Sequence, residues 1–225
     1  TGAIAAAQNI VKCIKRCGLE VSELVLQPLA SSMAVLTDDE KELGVCLVDI
    51  GGGTTDIAVL RHGSIRHTAV IPIAGDQINN DIAVAFRTPL PSAEEIKIKI
   101  GSALPIEEEL VMKVKGRDFI AGLPRTVEVR TNEIVKAIDK ELRQVIKAIR
   151  DVLQETPPEL ASDIIDNGII MSGGSSQLSH LPDLVERRTG VKAVLADDAF
   201  YCVVKGTGVA LEHLDTYKRS IFTKR

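Results

Sequence analysis

The stretch VCLVDIGGGTTDIAVL, Val45 to Leu60, limits the folds open to this chain more than any other. Val45 to Ile50 is apolar on both faces, the pattern of a central strand with structure packed above and below it. Thr55 to Leu60 reads as a second strand, so Gly51, Gly52 and Gly53 lie at the tip of a hairpin. A turn alone needs one or two glycines. Three in a row, with Asp49 before them and Asp56 after, leave the backbone open to a ligand. Converging N–H groups at such a tip form an anion-binding concavity. Thr54 and Thr55 add hydroxyl donors for phosphate oxygens. Asp49 is placed to bind a hydrated Mg²⁺, a hard cation that prefers carboxylates and water. Asp56 either does the same from the other strand or orients the turn.

A second turn repeats the first. In GIIMSGGSS an apolar strand again runs into Gly173, Gly174, Ser175 and Ser176. A Gly-Gly turn is common with nothing bound, so this one alone says little; the string D-I-G-G-G-T-T-D is far more specific and points to nucleotide phosphate. The G-x-x-x-x-G-K-[ST] spacing of a P-loop and the G-x-G-x-x-G of a dinucleotide-binding turn are both absent.

The remainder reads as an α/β chain. A helix is predicted over Ala3 to Cys17, stopped by Gly18, and a short strand before Pro28 leads into a small-residue helix in which Ser31 and Ser32 pack or cap. Asp38 to Glu42 reads as a solvated loop. A third strand ends at Pro72 and Gly75, followed by a helix from Gln77 to Phe86. Ser92 and Glu95 form a capping box that favours helix for EEIKIKI, although its isoleucines alternate as in a strand. A hairpin follows, with turn residues at Gly116–Arg117–Asp118 and Gly122. The strongest helix runs from Glu133 to Gln154, capped by Thr131 or Asn132, with an apolar stripe from Ile134 to Val152. Strand, glycine turn, helix, strand and terminal helix complete the chain.

The net charge of -4 and an aromatic content of 3% argue against nucleic acid, which takes a basic surface and stacking rings. No apolar run approaches the ~20 residues of a membrane span. The lysines near the N-terminus follow the apolar residues, the wrong order for a signal peptide. Cys13, Cys17, Cys46 and Cys202 lack metal-ligand spacing and are expected as reduced, inert thiols in a cytoplasmic protein. A start at Thr1 suggests a fragment.

VDIGGGTTDIAVL resembles the second phosphate loop of the actin, heat-shock-70 and sugar-kinase superfamily, and IIMSGGSSQL resembles its adenosine motif. Within that superfamily, NIVKCIKRCGLEVSELVLQPLASSMAVL through IRHTAVIPIAGDQINNDIAVAF is similar to the cell-division FtsA family. From about Pro105, PIEEELVMKVKGRDFIAGLPRTVEV, TPPELASDIIDNGIIMSGG and KGTGVALEHLD resemble the cell-shape MreB family more. The change near Gly101–Pro105 suggests an engineered chimera or a divergent intermediate.

The resemblance implies one lobe of an actin-like, ribonuclease-H-type α/β fold, a mixed sheet flanked by helices. Residues 1–75 and 156–225 would form core subdomain IIA and residues 76–155 a smaller IIB-like insertion. It implies ATP and Mg²⁺ as cofactors: Gly51, Gly52, Gly53, Thr54 and Thr55 at the phosphates, Asp49 on Mg²⁺ through water, and Gly173, Gly174, Ser175 and Ser176 at the adenosine. Glu94, Glu95 and Lys97 match the segment that touches ribose and base. Gln27 stands where relatives carry a glutamate that positions the attacking water; a glutamine can orient water but is no base, so slow hydrolysis is expected. No second phosphate loop occurs, so weak binding is expected too. The implied partners are further copies of an actin-like filament and the division or elongation machinery. The basic tail YKRSIFTKR is too short for a lasting membrane anchor. The competing reading is a nucleotide-free folding or filament-contact module.

Overall fold

The computed structural model describes residues 4–117 and 123–212. The turn residues Asp118 and Gly122 and the tail Tyr217–Arg225 lie outside them.

Two strands organise the molecule. β1 (Val45–Ile50) is buried at all six positions, because its side chains alternate between two separate cores. Cys46, Val48 and Ile50 enter the larger core, while Val45 and Leu47 enter a smaller one on the opposite face. β2 (Thr55–Arg61) returns antiparallel from the glycine tip, and β3 (Ser64–Ile71) continues the meander. β6 (Ile169–Ser172) lies parallel to β1 on its other side, and β7 (Ala193–Leu195) parallel to β6. The five-stranded order is therefore β3-β2-β1-β6-β7, a mixed sheet with helices on both faces. β4 (Val111–Arg117) and β5 (Pro124–Arg130) form a separate hairpin whose Val114, Val127 and Val129 join the larger core. Gly116 pairs with Arg125 inside this hairpin, so Gly116 and Arg117 belong to strand rather than to the expected turn.

The larger core is closed by α4 (Gly75–Phe86), α5 (Leu90–Ile100), α6 (Thr131–Glu155) and α8 (Leu181–Thr189). In α6 the predicted stripe is buried from Ile134 to Val152. Its start differs from expectation. The Glu133 carboxylate accepts the Arg130 N–H at 3.0 Å, and Asn132 instead brackets Ile106, accepting its N–H at 2.9 Å and donating to its carbonyl at 3.0 Å. α5 begins after Pro89 with no side-chain cap, so Ser92 lies within the helix. Its alternating isoleucines resolve as two buried residues, Ile96 and Ile100, and one exposed, Ile98.

α2 (Gln27–Val35) and α9 (Cys202–Glu212) cover the second face. Gly206 sits against the Ala30 carbonyl where these helices cross, so close that a Cβ would overlap it. The segment before α2 makes only a one-residue bridge at Leu24 in place of the expected strand. Asp38–Leu43 is a helix, α3, and not a loop: Thr37 and Glu40 form a capping box, and three acids occupy the first turn, where the helix dipole favours them. α7 (Pro158–Asn167) escaped sequence reading, its start set by Pro158. The first helix, α1 (Ile4–Arg16), leaves Ile10 55% exposed. Burial pushes the Cys46 thiol up to about 12, which makes it unreactive.

Two predictions follow from this packing. Gly206→Ala should lower the unfolding free energy by about 3 kcal/mol through overpacking at a backbone contact, read from the urea midpoint. Asp81, on α4, faces the buried Glu141 of α6. Burial first, then the Glu141 charge, raise the Asp81 carboxyl above its ordinary range, with Lys140 opposing. A raised folded-state value means a stability contribution present below the unfolded value and lost as pH rises through the folded one. Asp81→Asn should therefore stabilise the chain at pH 7 by roughly 0.5 kcal/mol, discounted for solvent screening, and leave it unchanged near pH 3. Urea midpoints at the two pH values check it.

Candidate nucleotide site

The parallel strands β1 and β6 end side by side, and each runs into a glycine turn. Ligands of open α/β sheets bind at the carboxyl ends of neighbouring strands whose connections diverge. Here β1 continues into the β2 hairpin and β6 into a 3₁₀ turn, Gly174–Gln177. Between them opens a cavity of ≈ 580 Å³, the size of a small-ligand site.

Backbone chemistry locks the two turns together. The Gly51 carbonyl accepts the Ser175 hydroxyl at 2.7 Å and the Gly75 N–H at 3.2 Å. The Gly52 carbonyl accepts the Asp76 N–H at 2.8 Å. The start of α4 thus holds the glycine tip by its carbonyls. Gly173 has φ +87°, and a Cβ there would strike the Ile50 carbonyl and the Asp49 carboxylate, so only glycine lets the second turn abut the first. Asp49 is 3% exposed, and its Oδ2 accepts the Ser31 hydroxyl at 3.1 Å. Ser31 is thus packed rather than capping. Asp56 accepts the Thr54 hydroxyl at 3.0 Å, which ties down the far side of the turn. Burial, above all, raises the Asp56 carboxyl; the Thr54 hydrogen bond opposes and the Asp49 charge adds to it.

Of the residues singled out from sequence, the cavity wall brings together Gln27, Asp49, Gly51, Gly52, Glu94, Lys97, Gly173, Gly174 and Ser175. Six others lie off it, Asp56 among them. Gly53 and Thr54 sit at the outer tip. Thr55 is fully buried and donates to the Ile73 carbonyl at 2.7 Å. Glu95 faces outward, paired with Lys99 at 2.6 Å. Ser176 is buried and donates to the Ser172 carbonyl. The helical period separates Glu95 from Glu94 and Lys97, since residues three apart share a face and neighbours do not. Burial lowers the Lys97 ammonium from its ordinary value, and the Glu94 and Asp76 charges work against that shift.

The cavity also contains groups that sequence reading missed. Asp76 and Asn79, three apart in AGDQINND, both face it from α4. Asn79 is 8% exposed, with no hydrogen-bond partner at its Oδ1. Helical spacing was the available signal for this pair. Phe200 stands against Gly174, its ring 5.0 Å from that of Tyr201 and edge-on to it. No local pattern flagged that ring.

For Mg²⁺, the described residues hold no group of three or more His, Cys, Asp or Glu that could cage a metal. Asp49, with one oxygen held by Ser31, fits a cation that keeps its waters and takes its other ligands from phosphate. Among the described residues no helix is long and apolar enough to cross a membrane.

A mixed sheet wrapped by helices, with a cleft where two central parallel strands end in glycines, is an actin-like architecture. The structure of MreB5 of Spiroplasma citri bound to ADP superimposes with a TM-score of 0.89 at 26% identity, over 97% of this chain and 69% of that one; the same protein bound to AMPPNP gives 0.86. The family model described as MreB/Mbl protein matches residues 5–219, and the chain belongs to that family. Individual relatives complicate the picture. The cell division protein FtsA of Pseudomonas aeruginosa is 46% identical over 186 residues, covering 83% of this chain and 43% of its own. The cell shape-determining protein Mbl of Bacillus cereus is 34% identical over 212 residues, 92% of this chain and 64% of its own. Pairwise identity thus favours FtsA while the family model is MreB/Mbl. Both matches are too long to stop at residues 101–105, so the likeness to each runs through that point. The chain spans between 43% and 64% of these two relatives.

Gly173→Ala should cost at least about 2 kcal/mol, since it forces a side chain into a left-handed conformation against a carbonyl. Thermal unfolding checks it. Ser175→Ala should cost less than this, because it removes one hydrogen bond between the turns.

Proposed function

We propose that the cavity binds Mg-ATP and that the chain is the nucleotide-binding part of an actin-like cytoskeletal subunit acting in cell division or cell shape. In this reading residues 1–75 and 156–225 form the core subdomain and residues 76–155 the smaller insertion. The observation that carries it is the locked pair of glycine turns, with Asp49 and Lys97 on the wall of one cavity. That the related MreB5 structures hold ADP and AMPPNP supports it.

Gly51 and Gly52 let the phosphates approach the backbone, with Gly53 and Thr54 at the outer tip. Asp49 holds the waters of Mg²⁺, which supplies charge neutralisation at the phosphates. Lys97, half-buried beside Glu94 and Asp76, offers its ammonium to the arriving anion, whose charge opposes the lowering that burial imposes. Gly173, Gly174 and Ser175 form the surface for the adenosine, with Glu94 placed for the ribose. Gln27, at the first turn of α2, orients a water without taking its proton, so hydrolysis is slow. This span carries one phosphate loop, and its own affinity for Mg-ATP is correspondingly weak.

A second reading, a contact module that works without nucleotide, draws on the exposed apolar residues Ile10, Leu19 and Leu26 along α1 and the segment after it. Calorimetric titration with Mg-ATP separates the two. Gly52→Ala places its Cβ at ordinary contact distance, 3.5 Å, from the Asp76 carboxylate, so the fold accepts it while the phosphate space narrows. Saturable binding that weakens at least about tenfold, or 1.4 kcal/mol, in both Gly52→Ala and Asp49→Ala is expected. Heats that fail to saturate in any of the three proteins would favour the contact module.

A further inference from the structure

A second concavity, of ≈ 340 Å³, lies between α6 and α8, away from the nucleotide site. Its floor is apolar, formed by Leu142, Ile146 and Leu184, and its rim carries Arg143, Lys147, Arg150 and Arg188. Two of these cations are neutralised on their own helix: Arg143 by Asp139 at 2.7 Å and Lys147 by Asp151 at 2.6 Å. Arg150 and Arg188, which come from different helices, have no ion-pair partner among the described residues. On a chain of net charge -4, this is a local basic groove.

The complementary surface is on the same chain. Ile106-Glu107-Glu108-Glu109-Leu110 joins α5 to β4, with Leu110 52% and Val111 46% exposed. Glu109 accepts the Asn132 N–H at 3.3 Å, while Glu107 and Glu108 are exposed without ion-pair partners among the described residues. The other acidic run, α3, is mostly engaged: Asp38 with Lys41, Glu40 in its own cap, Glu42 with His62. So two free carboxylates beside exposed apolar side chains match two free guanidiniums beside an apolar floor.

They cannot meet within one molecule. Asn132 anchors the acidic segment at the start of α6, while the groove centres near Ile146, fourteen residues on. At 1.5 Å per residue that is about 21 Å along a rigid helix. The geometry points to a second copy of this chain as the occupant, its Ile106–Leu110 segment seated in the α6–α8 groove with Glu107 and Glu108 on Arg150 and Arg188. Such a contact joins unlike patches and leaves one of each free, so repetition builds an open chain of copies. It rests on the assembly reading above and assigns that assembly a surface.

Sedimentation velocity on the 225-residue chain tests it across concentration and salt, with and without Mg-ATP. One variant carries Arg150→Glu and Arg188→Glu, another Glu107→Lys and Glu108→Lys. All four positions are exposed and outside ion pairs, so circular dichroism should be unchanged; Arg150→Gln with Arg188→Gln replaces the first variant if α6 is disturbed. Association of the wild type should weaken at least tenfold in each variant and with rising salt, as exposed charge pairs are screened. Mixing the two variants should restore alternating assemblies, because the intact segment of one meets the intact groove of the other and the reversed groove meets the reversed segment. Combining all four substitutions in one chain should restore longer assemblies. Wild-type association that both variants retain would overturn the contact and leave the assembly reading standing. A groove variant that fails while the acidic-segment variant does not would mean a different acidic occupant, and overturns it too. A wild type monomeric under every condition would overturn both.

Discussion

The Gly51 carbonyl is the point on which the site depends. It receives one hydrogen bond from the start of α4 and another from Ser175, so three elements far apart in sequence meet at one oxygen. Without that junction β1 and β6 would still pair, but their glycine turns would have no fixed spacing. Because the carbonyls of the tip are taken up by these donors, the backbone there is held in place by hydrogen bonds from two other elements. A cleft made this way holds its shape before a ligand arrives, which is what preorganised recognition of a charged group requires.

Much of this was legible in the residues. The apolar run of β1 announced a strand between two layers, and the two cores that it feeds are those layers. The stripe of α6 announced its buried face. The failures were local. Thr37 and Glu40 turned an acidic run into a helix, whereas Ser92 and Glu95, which carry the same capping signature, do not cap. The prolines before Ser92 had already started that helix one turn earlier. Spacing along the chain could group Thr55, Glu95 and Ser176 with their neighbours, but could not say which way each points. A strand sends alternate residues to opposite faces, and a helix turns each by 100°. Asp76, Asn79 and Phe200 were missed for the converse reason: they reach the cavity from elements whose position relative to the glycine turns is a tertiary fact.

The double likeness to FtsA and to MreB/Mbl takes in the site, since both matches are long enough to include the two glycine turns. In this chain a carbonyl, a hydroxyl and a left-handed glycine fix the spacing of those turns, and a side chain at Gly173 would not fit between them.

The outer strands of the sheet bear on how copies of this chain can meet. β7 is only three residues long, and β3 places Arg66 and His67 along its length, with His67 paired to Glu155 at 3.2 Å. Short edges and charged edges both discourage the addition of another strand. Backbone-to-backbone growth, the route to irreversible aggregates, is therefore disfavoured at either margin. At this sheet, contact between copies is left to side chains on helices and loops, which water and salt can loosen, and an assembly of that kind can be taken apart again.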